Sequence, residues 1–156
     1  MGVTAKATTE FDSSGLDLIW KKLRDLDGSG VDYGFYDNQT HEESGLPMSD
    51  LALIMERGSE KHNIPARPFM AHSGIYFSLS KMNILKLAFN RYMTGKADKL
   101  SLLGRIGLSA KQQIKDTISY QNFVALKPDT IARKGFSTIL IESGELEKSC
   151  QVVIRP

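Results

Sequence analysis

The chain has 156 residues, 41% of them hydrophobic and 24% charged, with a formal net charge of +2. That length fits one domain over residues 1–156, and ordinary domains of this size bury about two-thirds of the surface their unfolded chains expose. A near-neutral balance gives no general electrostatic reason to bind nucleic acid, no apolar run reaches a membrane span, no signal-peptide pattern opens the chain, and the lone Cys150 excludes an intramolecular disulfide.

Residues 1–12 are polar and Thr-rich and read as a flexible arm or an edge strand. Leu16, Ile19, Trp20 and Leu23 then recur at helical spacing, with Ser13 or Ser14 as the cap, and Asp27-Gly28-Ser29-Gly30 ends this N-terminal helix. Residues 31–36 favour a strand through their Val, Tyr and Phe side chains, and residues 37–47 read as an exposed loop. Ser49 is placed to cap a short helix over residues 50–57, with Leu51, Ile54 and Met55 inward and Gly58 closing it.

Ile64-Pro65-Ala66-Arg67-Pro68-Phe69-Met70 is the most constrained stretch of the chain. Each proline fixes φ, lacks an N–H and pushes the residue before it out of the helical region. Residues 64–67 are therefore expected to be extended, and Pro68 to be the first residue of a helix, where a missing donor costs nothing. Phe69 and Met70 are expected to bury and pin the turn. Arg67, held between two stiff residues, has a fixed origin for its guanidinium, with Glu56, Glu60 or an acid on a neighbouring subunit as its partner.

Ile75, Leu79, Met82, Leu85, Phe89 and Tyr92 form one apolar stripe of a long helix, with Gly74 separating it from the turn at Pro68. A second helix runs over residues 99–120, with Leu103, Ile106, Ala110, Ile114 and Thr117 inward, antiparallel to the first. Gly104 and Gly107 inside it mark close approach of its backbone to a neighbouring element. Pro128-Asp129-Thr130 opens a short helical turn ended by Gly135, and residues 137–141 and 149–154 read as strands separated by Ser143-Gly144-Glu145. The fold class is α+β: a small antiparallel sheet packed against long helices.

Chemistry is scarce. His41-Glu42-Glu43 lacks the second histidine of a helical zinc site, Ser143 lacks a glycine two residues before it, and Gly28-Ser29-Gly30 precedes a strand rather than a helix. His62 and His72 lack a third ligand, and Cys150 reads as a buried small hydrophobe. No catalytic, cofactor or metal set emerges, so the chain is not expected to be an enzyme. Charge is segregated instead: residues 37–60 carry six acids and one arginine, whereas residues 74–115 carry eight bases and one acid. Such polarity suits internal pairing or head-to-tail contact between copies. The lysines lie around the helices without interleaved aromatic rings, which favours a solvated face over a nucleic-acid platform.

In order, Asp32-Tyr33-Gly34-Phe35-Tyr36, the helix from Ser49 to Gly58, Ile64-Pro65-Ala66-Arg67-Pro68-Phe69-Met70, Thr130-Ile131-Ala132-Arg133-Lys134-Gly135 and the run from Leu140 to Ser149 resemble the bacteriophage head–tail joining, or tail-completion, proteins of the virion neck. This chain has Glu56-Arg57-Gly58 where the family usually has an aromatic residue between Glu and Gly. It has Glu142-Ser143-Gly144 where the family usually has Asp-Thr-Gly, and Cys150 where an aliphatic residue is usual. The resemblance implies a small sheet backed by long helices, assembled as a hexameric ring in the virion neck. It implies contacts with a portal-side adaptor or head-closure protein and with a tail terminator or tail tube protein. Genomic DNA would pass the channel without sequence recognition, with no cofactor, catalysis or membrane. Interaction residues carried by the matching motifs are Ile64, Pro65, Arg67, Pro68, Phe69, Arg133, Lys134, Glu142 and Gly144. The competing class is a small DNA-binding or regulatory domain using the basic helices.

Overall fold

A computed structural model describes residues 13–120, 122–135, 137–140 and 144–156. The order among these is α1 (Ser14–Leu26), β1 (Gly30–Gly34), α2 (Met48–Arg57), α3 (Phe69–Ser80), α4 (Met82–Met93), α5 (Lys99–Ser119), α6 (Pro128–Lys134), α7 (Glu145–Ser149) and β2 (Gln151–Arg155). The fold is α+β, with an N-terminal helix and a two-stranded antiparallel sheet against the helices. The expected arm, residues 1–12, lies outside the described residues.

α5 is the centre of the molecule because its sequence is apolar on more than one side. Leu102, Leu103, Ala110, Ile114, Thr117 and Ile118 are all buried along it. Asp98 caps its start, its carboxylate accepting from the Ser101 N–H at 2.7 Å. The Ser101 side chain first, and then this N–H, hold the Asp98 carboxyl below its ordinary range by hydrogen bonding. One side of α5 carries the sheet. β1 and β2 pair in the register Val31 with Ile154 and Tyr33 with Val152, which puts these four side chains on one face. A Cβ built on Gly107 would lie 2.2 Å from Val152 Cγ1 and 2.9 Å from Val31 Cγ1, so only glycine lets α5 sit this close. Gly104 makes a looser approach, 3.9 Å from Ile154 Cδ1. On the outer face Arg155 clasps Asp32 with Nε at 2.7 Å and a second nitrogen at 3.0 Å.

α3 lies antiparallel to α5: Tyr76 meets Tyr120, whereas at the far end of α3 Ser80 Oγ donates to Gln113 Oε1 at 3.3 Å and Lys81 lies 3.8 Å from Asp116. The expected break at Gly74 is absent, since Gly74 sits inside α3. The chain bends at Lys81 instead. Ser78 and Ser80 bond back to the carbonyls of Ile75 and Tyr76 at 2.7 Å each, a pairing that bends helices. The single stripe expected across this region is therefore split between two helices. Tyr92 alone of its six residues is buried, Leu85 is half-buried, and Ile75, Leu79, Met82 and Phe89 are exposed.

α1 is held at its C-terminal end by Tyr92, Lys99 and the cluster around Leu102. Tyr92, 2% exposed, donates to Lys22 O at 2.8 Å and to Asp25 Oδ2 at 2.7 Å, and Lys99 reaches Asp25 O at 2.9 Å. Leu26 packs against the Ala88, Tyr92 and Leu102 cluster. No residue of α1 is buried, and its stripe of Leu16, Ile19, Trp20 and Leu23 faces solvent, with Trp20 59% exposed.

Three smaller expectations are corrected. α2 starts at Met48 behind Pro47, and Ser49 donates to Asp37 Oδ1 rather than capping the helix. Leu51, Ile54 and Met55 are only half-buried, and Met48 and Ala52 are the buried pair. Residues 137–140 form no strand, with Leu140 at φ 59, and α7 rather than a turn leads into β2.

Candidate functional site

The proline stretch is built into a bracket between α2 and α3. α2 ends at Gly58, whose φ is 77; a Cβ there would lie 2.7 Å from both Ala66 N and Ile64 O. Glycine thus satisfies two demands, a left-handed backbone and the close crossing of residues 64–66. Ser59 and Ile64 exchange backbone hydrogen bonds of 2.8 and 2.9 Å, and the Arg67 N–H donates to Met55 O at 2.8 Å. Residues 64–67 are fixed by these bonds as well as by their prolines.

α3 begins at Phe69, one residue later than expected, with Pro68 at the cap position, where its missing donor is again harmless. The open N–H groups of the first turn are taken by Glu56: Oε2 accepts from Met70 at 2.8 Å and Oε1 from Ala71 at 3.1 Å. A carboxylate at a helix N-terminus is favoured both by these bonds and by the helix dipole. Phe69 is fully buried and meets Phe35 edge-on, with ring centroids 5.8 Å apart.

Arg67 is 5% exposed. Its Nε donates to Val124 O at 3.2 Å, a neutral acceptor. Burial lowers its pKa from the usual arginine value. Neither Glu56 nor Glu60 pairs with it, contrary to expectation, because both Glu56 oxygens are used at the start of α3 and Glu60 is exposed. Among the described residues no carboxylate forms an ion pair with this guanidinium.

Beside the bracket lies a cavity of about 610 Å³. Leu51, Met55, Ile64, Pro65, Leu126, Leu140 and Leu146 give it an apolar lining. Arg67, Lys127, His41, His62, Glu43, Asp129 and Glu145 give it polar groups of both signs. Lys127 Nζ donates to Asn63 O at 3.2 Å, which ties the residues before α6 to the bracket. Glu145 accepts from the Glu42 N–H at 3.2 Å and lies 3.9 Å from His41 Nε2. The 37–47 loop, expected to be open, is mostly exposed but folds on itself, with the Met48 N–H on Gln39 O at 2.8 Å and the His41 N–H on Leu46 O at 2.9 Å.

The structure therefore brings Ile64, Pro65 and Arg67 together on one cavity and puts Pro68 and Phe69 behind it. Gly144, with φ 73, takes the cap position of α7. Arg133 and Lys134 close α6, their side chains lying outside the described residues, as does all of Glu142. Sequence reasoning missed Val124, Leu126 and Lys127, which no local motif marks. It also missed the capping role of Glu56, whose signal is its position in the last turn before Gly58 and the proline stretch.

The segregated charges do not pair with one another. Lys81, Lys99 and Lys115 pair with Asp116, Asp25 and Glu147 at 3.8, 3.5 and 3.2 Å, and among the described residues no ion pair joins residues 37–60 to residues 74–115. Cys150 is fully buried, and burial pushes its thiol pKa up. Among the described residues no cluster of three His, Cys, Asp or Glu is placed to hold a metal ion, and no helix is long and apolar enough to cross a membrane. No protein-family model, curated protein or solved structure matches the chain.

Proposed function

We propose that this protein is a structural subunit of the bacteriophage neck, a ring that joins the DNA-filled head to the tail and surrounds the DNA channel. The observation that carries the reading is the ordered run of motifs from Asp32 to Ser149 around the Ile64–Met70 stretch. Ring subunits meet through heterologous surfaces, so one face must complement a different face of the neighbour. Two features of the chain support that demand: charged segments that do not pair with each other, and the exposed apolar residues of α1, α3 and α4, among them Trp20, Leu79 at 76% exposure and Leu87. Exposed apolar surface on this scale marks contact with other proteins.

In this reading the chain is not an enzyme and needs no cofactor. Its partners are further copies of itself, six to a ring, with a portal-side adaptor or head-closure protein on one side. A tail terminator or tail tube protein lies on the other, and DNA passes without base recognition. Native mass spectrometry of the protein, alone and with neck components, tests it together with imaging of the particles. A closed ring located at the head–tail junction is expected. Absence from assembled virions, or a monomer within them, overturns the reading. Strong, salt-dependent DNA affinity of a monomer would transfer the assignment to a basic-helix DNA-binding domain.

A further inference from the structure

We propose that the cavity beside the proline stretch is a binding site for a monocarboxylate with an apolar body, the carboxylate seated on Arg67 and the body on the apolar wall. A free organic acid and the terminal carboxylate of a peptide both carry that chemistry.

Arg67 sets the charge of the ligand. It lines the cavity yet is only 5% exposed, and a charge taken out of water is costly unless it is paired. A guanidinium has five N–H donors. Among the described residues only the Nε–H of Arg67 has an acceptor, the neutral carbonyl of Val124 at 3.2 Å. Burial lowers its pKa, and no described carboxylate offsets that. Among the described residues the one sealed side-chain nitrogen or oxygen without a partner is Ser29 Oγ. The Nη groups are therefore not shut into the core but keep access to the space that Arg67 lines. With Nε committed to Val124, the end of the fork stays open, one N–H from each Nη, and the two oxygens of a carboxylate match it bidentately. The backbone behind it is already fixed, with the Arg67 N–H on Met55 O at 2.8 Å, so little has to be ordered on binding.

The rest of the lining sets the body and the charge number. The volume of about 610 Å³ falls within the range of about 300–1,000 Å³ typical of ligand pockets. Leu51, Met55, Ile64 and Leu126 share the lining with Arg67 and are each only half-buried by the chain itself, so an apolar body gains by covering them. Glu43 and Asp129 are exposed on the same lining. Their charges oppose a phosphate dianion or a nucleic-acid strand more than a single carboxylate. Lys127 is exposed as well, its Nζ on Asn63 O at 3.2 Å, which leaves Arg67 as the buried cation among the described lining residues.

NMR titration of the isotopically labelled full-length chain tests this. The probes are phenylbutyrate as a free acid and an acetylated Gly-Gly-Leu tripeptide as a peptide acid, each beside its own amide. The methyl signals of Leu51, Met55, Ile64 and Leu126 and the side-chain N–H of Arg67 are expected to shift, while those of Leu79 and Leu87, exposed on α3 and α4, stay still. At least one acid should bind at least about tenfold more tightly than its amide, which leaves the guanidinium unpaired. The tighter of the two acids identifies the source. Arg67→Lys should lose most of that preference, because Lys lacks the fork. The comparison of acid with amide uses the parent chain and decides the matter even where the variant fails to fold. Leu126→Asn should weaken acid and amide alike, since it touches the body and not the charge. Glu142→Gln should leave the acid's affinity unchanged; a gain of about tenfold would mean that the chain supplies the carboxylate itself, and would overturn the proposal. Equal affinity for acid and amide, shifts confined to other surfaces, or binding of neither acid overturns it too. The inference does not rest on the neck reading: binding by the free protein decides it, while location in the virion is decided separately.

Discussion

Adding one methyl group to α5 should have opposite effects at two glycines that lie three residues apart. Gly→Ala inside a helix is worth up to about 1 kcal/mol in propensity. At Gly104 the new Cβ would meet only Ile154 Cδ1 at 3.9 Å, an ordinary contact, so the propensity gain is kept. At Gly107 it would meet Val152 Cγ1 at 2.2 Å and Val31 Cγ1 at 2.9 Å. Carbon atoms in contact sit about 3.5–4.0 Å apart, so α5 or the sheet must retreat by more than about 1 Å. Both neighbours are valines, stiff at χ1, and cannot fold out of the way cheaply. Overpacking of this kind costs about 1–3 kcal/mol, which leaves Gly107→Ala destabilised by up to about 2 kcal/mol after the propensity gain. At this chain length about 1 kcal/mol moves Tm by roughly 2–4 °C. Thermal unfolding followed by circular dichroism should therefore show Gly104→Ala above the parent and Gly107→Ala below it. Val152→Ala should cost less in the Gly107→Ala background than alone, because it opens the space the new methyl needs. Equal increases in Tm for both variants would refute the packing argument.

Other expectations follow from contacts already described. Glu56→Ala strands the N–H groups of Met70 and Ala71 and should cost about 1–2 kcal/mol in denaturant unfolding, while Glu60→Ala should stay within about 0.5 kcal/mol. Burial first, and then the hydrogen bond to Asp25, push the Tyr92 phenol from 10.0 up to about 12. A raised folded-state pKa means its stabilising contribution is complete below pH 10.0 and is lost as pH rises toward about 12. Phenolate absorbance should show a late tyrosine that Tyr92→Phe removes, while Tyr36, pushed up chiefly by burial, remains; Trp20 fluorescence should change over the Tyr92 interval as α1 comes loose. The same bond, its largest cause, lowers the Asp25 carboxyl below 3.8, so that tether is complete above this value and fails as pH falls through the lower folded-state value. Cys150 should resist a soluble disulfide reagent until denaturant opens the core; rapid labelling of the folded chain would contradict its burial.

The elements that were legible in the sequence are those whose cause is local. α5 follows from the periodic Leu103, Ala110, Ile114 and Thr117, and Gly107 declares a close neighbour because nothing else explains a glycine in that helix. α6 is bounded by Pro128 and Gly135, whose φ of 81 is the left-handed stop its residue type favours. The bend at Lys81 was missed because a glycine is a louder signal than two serines that bond back to their own helix. At the candidate site the stiffness of residues 64–68 was readable, since proline imposes it. The environment of Arg67 was not, because its acceptor Val124 lies 57 residues away and Glu56 is committed to α3, facts that only the packed structure supplies.

The pairing of β1 with β2 has a consequence for the order in which the molecule folds. Asp32 and Arg155, clasped across the ribbon, are 123 residues apart in the chain, and closing so long a loop costs entropy that local helices do not incur. α3, α4 and α5 are consecutive and can pack early, so the ribbon is expected to close last. Until Val152 and Ile154 arrive, the side of α5 at Gly107 is an apolar trough cut to the depth of a strand. A β-prone segment of another chain can enter that trough before β2 does. The wait for residues 151–155 is thus the interval in which copies are most exposed to wrong pairing, and a chain truncated before β2 should aggregate rather than merely lose stability.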